Sequence, residues 1–173
     1  MKNQKGSAVL VLLGFILCLS FVGWSGLRVY KSIIFNIEVG GHLKRAADAN
    51  TIELAKEEME IVVSYLEKSG MKSGYTSVLY NTPNEDVGFW YKNLKSALEE
   101  LKKITPEFTQ LEKSNVLIKL RETLLDSGEK GLHVTMPPGI SISPNNSGYA
   151  FFGWISALLG VVGIIVIIFG LDL

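Results

Sequence analysis

Two histidines, His42 and His133, each follow a glutamate by four residues, Glu38 and Glu129, a spacing that on a helix sets imidazole and carboxylate on one face. Such a pair is half of a metal site, and a carboxylate-bridged metal bundle needs Glu-x-x-His on facing helices, a motif missing from this sequence. Gly40 and Gly41 interrupt the first pair and Gly131 the second, so neither is assigned to a metal. The single cysteine, Cys18, lies in an apolar stretch where a thiol is a poor nucleophile, and it has no second cysteine for a disulfide or a metal pair. No GxSxG, phosphate-binding loop, dinucleotide fingerprint or HExxH occurs. No catalytic residue, metal or cofactor is expected, and the chain is not read as an enzyme.

Two charged residues stand where a helical pattern wants apolar ones. Glu58 falls between the directions of Leu54 and Val62, and Arg121 lies between Leu117 and Ile118 on another helix. Each sits about 22 to 24 Å from the start of its helix. Parallel helices at equal height would bring them together, and an arginine fork matches a carboxylate, so an ion pair between Glu58 and Arg121 is expected. The alternative leaves both at the edge of the bundle, reaching water. Phe89 is a third anomaly. Trp90 and Tyr91 align with Val87, Leu94, Leu98 and Leu101 as core, whereas Phe89 points the opposite way with Asn93, Ser96 and Glu100. It needs a cover, either the 75–80 loop or another protein chain, and the loop is the first choice because it leads directly into that helix.

The elements that must position these residues follow from hydropathy. Apolar runs over 7–26 and 150–170 are each about 20 residues long, enough to cross roughly 30 Å of hydrocarbon as a helix. Hydrophobic residues make up 47% of the 173 residues, and the excess lies in these two runs. Lys2 and Lys5 before the first run resemble the start of a secretory signal, but the run is long and no small-x-small cleavage site closes it before Trp24, so an uncleaved anchor is expected. The short basic tail favours the cytoplasmic side, which puts the intervening domain outside the cytoplasm of a bacterial inner membrane, although Arg28, Lys31, Lys44 and Arg45 follow the run and a plain count points the other way. Trp24, Tyr30, Tyr149 and Trp154 suit an interfacial belt on the domain side.

Both runs have a face of small residues at helical spacing: Ser7, Gly14, Cys18 and Ser25 on the first, and Gly153, Ser156, Ala157, Gly160 and Gly163 on the second. Small residues let membrane helices approach closely. Either the two spans pack on each other, or the second binds another copy of the chain.

Between the spans the pattern is helical. The expected organisation is an all-α membrane protein, with two transmembrane helices flanking a soluble antiparallel bundle of three main helices and a small β patch from the loops. The boundaries are 1–26 for the tail and first span, 27–126 for the bundle with helices over about 43–69, 83–103 and 106–126, 127–149 for an extended Gly/Pro/Ser-rich return, and 150–173 for the second span. Gly40 and Gly41 mark a bend, Gly70 a helix stop, and Thr82-Pro83 and Thr105-Pro106 two helix starts. Short strands are expected over 132–134 and 140–143, with another at 75–80. Asn145-Asn146-Ser147 matches a glycosylation acceptor, a pattern frequent by chance.

Lysine plus arginine and aspartate plus glutamate both total 17 and alternate along the chain, which excludes a nucleic-acid surface and gives no support to an anionic-lipid partner. The expected partners are the lipid bilayer and either a second copy or another membrane protein. The leading functional reading is an interaction or scaffold protein in a homo-oligomer or larger membrane complex. The alternatives are a sensory or accessory subunit whose bundle binds a small ligand, and, behind it, a metal-carboxylate enzyme.

Overall fold

The computed structural model describes residues 4–77, 79–128, 131–141 and 146–172. It is mostly helical, with a small two-stranded sheet. In chain order the elements are α1 (Gln4–Phe35), a π-helical turn (Asn36–Gly40), α2 (Gly41–Ala47), α3 (Ile52–Lys68), a 3-10 turn (Pro83–Glu85), α4 (Val87–Lys102), α5 (Gln110–Leu124), β1 (Leu125–Gly128), β2 (Gly131–Val134) and α6 (Ser147–Asp172). The chain divides into two compact units, residues 1–31 with 147–173, and residues 32–146.

The first unit is a pair of apolar helices, each long and apolar enough to cross a membrane. Only 6% and 22% of their most apolar stretches are buried, so most of the apolar surface faces outward, unlike the core helix of a soluble protein. The two helices run antiparallel and meet through small residues. A Cβ added to Gly163 would lie 2.7 Å from the Gly14 carbonyl oxygen and 2.8 Å from Cys18 Sγ, and one on Gly14 would lie 2.6 Å from the Gly163 carbonyl oxygen. Two backbones this close leave no room for side chains, and dispersion between them contributes to the packing. Toward one end, the Ser7 hydroxyl donates to the Gly170 carbonyl. Toward the other, Trp24 stacks against Tyr149 with ring centroids 5.6 Å apart, and Lys31 lies 4.3 Å over the Tyr149 ring.

The second unit is built on α2 and α3. The glycines at 40 and 41, expected to bend the chain, are instead carried within helical backbone. The Gly41 N–H reaches back to the Asn36 carbonyl, which closes the wider turn. Two glycines cost a helix about 1 kcal/mol each, and the fully buried Val39, Leu43 and Ala46 around them more than offset it.

The helix expected over 43–69 is two helices. The chain turns at 48–51, and Thr51 starts α3 by accepting from the Leu54 N–H at 3.3 Å. This break resets the phase of the apolar face: Ile52, Ala55, Met59, Val62 and Leu66 are core, while Leu54 is exposed. At its end, Gly70 has a φ of 74° and the Met71 N–H returns to the Leu66 carbonyl at 2.9 Å, the paired bonds of a left-handed helix stop.

Two further helix starts move. Asp86, not Thr82, caps α4, because residues 74–76 pair with 85–87: the Thr76 N–H donates to the Glu85 carbonyl and the Val87 N–H to the Gly74 carbonyl, holding Asp86 extended. Helix α5 opens at Thr109, not Thr105. Thr109 and Glu112 cap each other reciprocally, whereas the residue three places after Thr105 is Phe108, which has no acceptor to reach back with.

Residues 125–126, expected to end a helix, are strand. Strands β1 and β2 pair antiparallel with Asp126 opposite His133. Residues 138–141 form a turn, and the rest of the strand expected over 140–143 lies outside the described residues. At 75–80, where a strand was expected, the structure has only the single bridge from Tyr75 to Asp86 among the described residues.

Replacing Gly163 with leucine is expected to lower the thermal unfolding midpoint of the detergent-solubilised chain, by the equivalent of about 1–3 kcal/mol of overpacking. Gly23→Leu, where nothing lies within 4 Å of an added Cβ, is the matched control and should leave the midpoint unchanged.

Candidate functional site

Helix α4 carries the outward aromatic. Asp86 accepts from the Phe89 N–H at 3.0 Å, fixing the first turn. That turn sends Val87, Trp90 and Tyr91 into the core and leaves Phe89 62% exposed. The 75–80 loop was expected to cover it. The described loop residues do not: Leu79 and Tyr80 are themselves 82% and 76% exposed.

Phe89 instead forms part of the wall of a cleft of about 380 Å³. Trp90 and Asn93 continue the α4 wall, Pro83 and Asp86 line one end, and the opposite wall is the chain from His133 to Pro138. The Trp90 indole N–H donates to the Thr135 carbonyl at 2.9 Å, locking this segment against α4. The Thr135 N–H donates to the Leu124 carbonyl, extending the strand pairing to the end of α5. One exposed aromatic ring and three prolines, beside the polar side chains of Asn84, Asp86, Asn93 and Asp126, suit an extended segment held by a few polar contacts.

The charged pair expected between Glu58 and Arg121 is replaced by a different cluster. Glu58 is 5% exposed. One carboxylate oxygen meets His42 Nδ1 and the other an Arg45 guanidinium nitrogen, both at 2.5 Å. Arg121 pairs instead with Asp48, at 3.8 Å. The break at 48–51 is the cause: it folds α2 back beside α3 and brings His42 and Arg45 to Glu58, an arrangement no single helix over 43–69 allows. His42 therefore serves Glu58 and makes no recorded bond with Glu38, while His133 is exposed on β2 and its sequence neighbour Glu129 lies outside the described residues. Among the described residues, no three His, Cys, Asp or Glu side chains gather as a metal site would require.

The small residues of the two spans meet one another. Gly14 and Cys18 face Gly163, Cys18 approaches the Gly160 carbonyl at 3.7 Å, Gly160 backs onto Phe21, and Gly153 backs onto Trp24. Ser156 is buried with its hydroxyl unpartnered among the described residues, and Ala157 is half-buried. Gly170 of α6, which sequence reasoning missed, belongs to the same seam beside Val11. Its position about two turns beyond Gly163, on the same helix face, was the available signal.

A polar trio braces α3 against α4. The Tyr91 hydroxyl donates to Glu67 at 2.6 Å and Lys95 to the same oxygen at 3.1 Å. The hydrogen bond from Tyr91, then that from Lys95, holds the Glu67 carboxyl below its ordinary range. The same carboxylate, helped by burial, raises the Tyr91 hydroxyl, and it raises Lys95 as well. No protein-family model, curated protein or solved structure matches this chain.

Removing both partners of Glu58, by His42→Ala with Arg45→Ala, is expected to cost about 3 kcal/mol or more in urea unfolding, because the carboxylate stays buried and unpaired. Glu58→Gln should cost less, since Arg45 is 69% exposed and turns to water. The Glu67 trio sets a pH window. A depressed carboxyl stabilises above about pH 4.3 and loses that contribution as pH falls through its folded value; raised Tyr91 and Lys95 stabilise below about pH 10 and lose it as pH rises through theirs. The difference in urea midpoint between the parent and Tyr91→Phe should be flat from about pH 6 to 9 and shrink at both extremes.

Proposed function

We propose that this protein is a membrane-anchored interaction protein, with α1 and α6 inserted as a hairpin and the helical bundle held at the membrane surface, where the cleft beside Phe89 receives an extended segment of another membrane protein. The observation that carries this reading is Phe89 itself. A phenylalanine 62% exposed on the wall of a formed cleft is the kind of residue that a partner covers. The bundle is proposed to lie outside the cytoplasm of a bacterial inner membrane, because Lys2 and Lys5 precede the first span and basic residues beside a span favour the inner side.

Assembly through the small face of α6 loses its main support, because α1 of the same chain occupies that face. Self-association is therefore proposed at the bundle. A second reading, a sensory or accessory subunit, draws on the size of the cleft, which lies within the range of small-molecule sites.

A photo-crosslinking amino acid placed at Phe89 in intact cells is expected to capture one discrete protein adduct, with Phe89→Ala weakening the purified complex roughly thirtyfold, about 2 kcal/mol. An adduct of twice the chain's mass would identify a second copy. Absence of any protein adduct, with the cleft protected by a metabolite extract, would replace this reading with the sensory one. The same cells report sidedness: a cysteine introduced at Ser73 that an impermeant reagent labels only after lysis would put the bundle in the cytoplasm.

A further inference from the structure

We propose that the two-helix unit carries a binding site for an anionic phospholipid, its phosphate at Arg28 and one acyl chain in the groove that follows. This inference rests on α1 and α6 spanning a membrane. Two hollows open along the helix pair. One, of about 350 Å³, is lined by Trp24, Ser25, Arg28, Gly153 and Trp154. The next, of about 360 Å³, is lined by Cys18, Val22, Gly160, Val161 and Ile164. Phe21 and Ala157 line both, so the hollows adjoin and make up a groove that is partly polar at one end and apolar along the rest.

Its polar end presents donors. The Arg28 guanidinium makes no ion pair or hydrogen bond among the described residues, and the buried Trp24 indole N–H has no partner there either. Gly153 sets them side by side: a Cβ on it would lie 3.2 Å from Trp24 Nε1 and 3.7 Å from Arg28 Nη1. The nearby Lys31 is engaged by Tyr149 and does not compete. No carboxylate lines the groove, so the Arg28 guanidinium is unopposed at that end, and a phosphate with several acceptor oxygens satisfies it.

Length supplies the second argument. From Gly153 to Ile164 the helix rises about 16 Å, half of a hydrocarbon core of roughly 30 Å and so the depth of one leaflet. One acyl chain below one phosphate fits that span. The chain-wide balance of charge, which spoke against an anionic lipid, is no guide here, because selectivity depends on the single cation at the groove and not on the total.

The test is native mass spectrometry of the full chain in mild detergent with dioleoylphosphatidylglycerol or dioleoylphosphatidylcholine, which share acyl chains and differ in charge. One bound phosphatidylglycerol per chain is expected, preferred at least fivefold, with the preference lost in Arg28→Gln and retained in Arg28→Lys. Ala157→Phe, which fills the groove, should reduce binding of both lipids. A readout that needs no variant is quenching of tryptophan fluorescence in nanodiscs, where brominated phosphatidylglycerol at low mole fraction should quench more than brominated phosphatidylcholine. Equal binding of the two lipids, a preference that survives Arg28→Gln, displacement by glycerol 1-phosphate alone, or a dimer in place of the lipid adduct would each overturn the site. A chain that inserts into nanodiscs of phosphatidylcholine alone but shows no preference loses the site and keeps the membrane reading, whereas failure to insert removes both.

Discussion

A carboxylate buried among alkyl side chains is tolerated where polar partners meet both of its oxygens, and Glu58 imposes that condition on the helical unit. His42 and Arg45 satisfy it from α2, which fixes how α2 lies along α3. With that pair set, α3 offers Met59, Val62 and Leu66 to a shared core, α4 packs on it through Leu94 and Leu98, and α5 closes the core with Leu120 and Leu124. The position of Phe89 is a consequence several steps removed. The packing of Trp90 and Tyr91 on this core turns the residue before them to the outside.

The helix pair obeys a different rule. In the proposed bilayer setting hydrophobic burial does not hold two apolar helices together, so contact area has to come from close approach. Gly14, Gly160, Gly163 and Gly170 provide it, and the bulk of Phe21 fits beside Gly160 because no side chain stands there. The same absence of side chains hollows the outer side of the pair near Gly153 and Gly160. Tight packing on one side and a groove on the other have one cause.

Much of this was legible in the sequence and some was not, for reasons that can be named. The two apolar helices follow from length and composition, and Gly70 announces its stop because few other residues adopt its backbone angle. Helix starts were misread where two capping signals lay within a few residues, since Thr105 and Thr109 both qualify until the residue three places on is asked to reciprocate. Glu58 was visible as a charge on an apolar face, but its partner was not. That assignment required knowing that Asp48 to Thr51 is a turn, and the flanking apolar periodicity masks a turn that only shifts its phase. Periodicity likewise identified the small faces of the spans and the outward direction of Phe89. It gives the direction of a face and never what covers it, so neither the pairing of the two spans nor the failure of the 75–80 loop to cover Phe89 was within reach.

The hydrogen bond between Ser7 and Gly170 joins residues 163 positions apart. Its partners leave the ribosome far apart in time, with the whole helical unit made between them. Helix α1 must therefore wait with its glycine face unpaired, while the polar unit folds as a self-contained body from local helical contacts. Only after α6 follows does the seam close. Biogenesis is thus ordered by topology: the helix pair is begun before the polar unit and completed after it, and any factor that shelters an unpaired apolar helix has its opportunity in that interval.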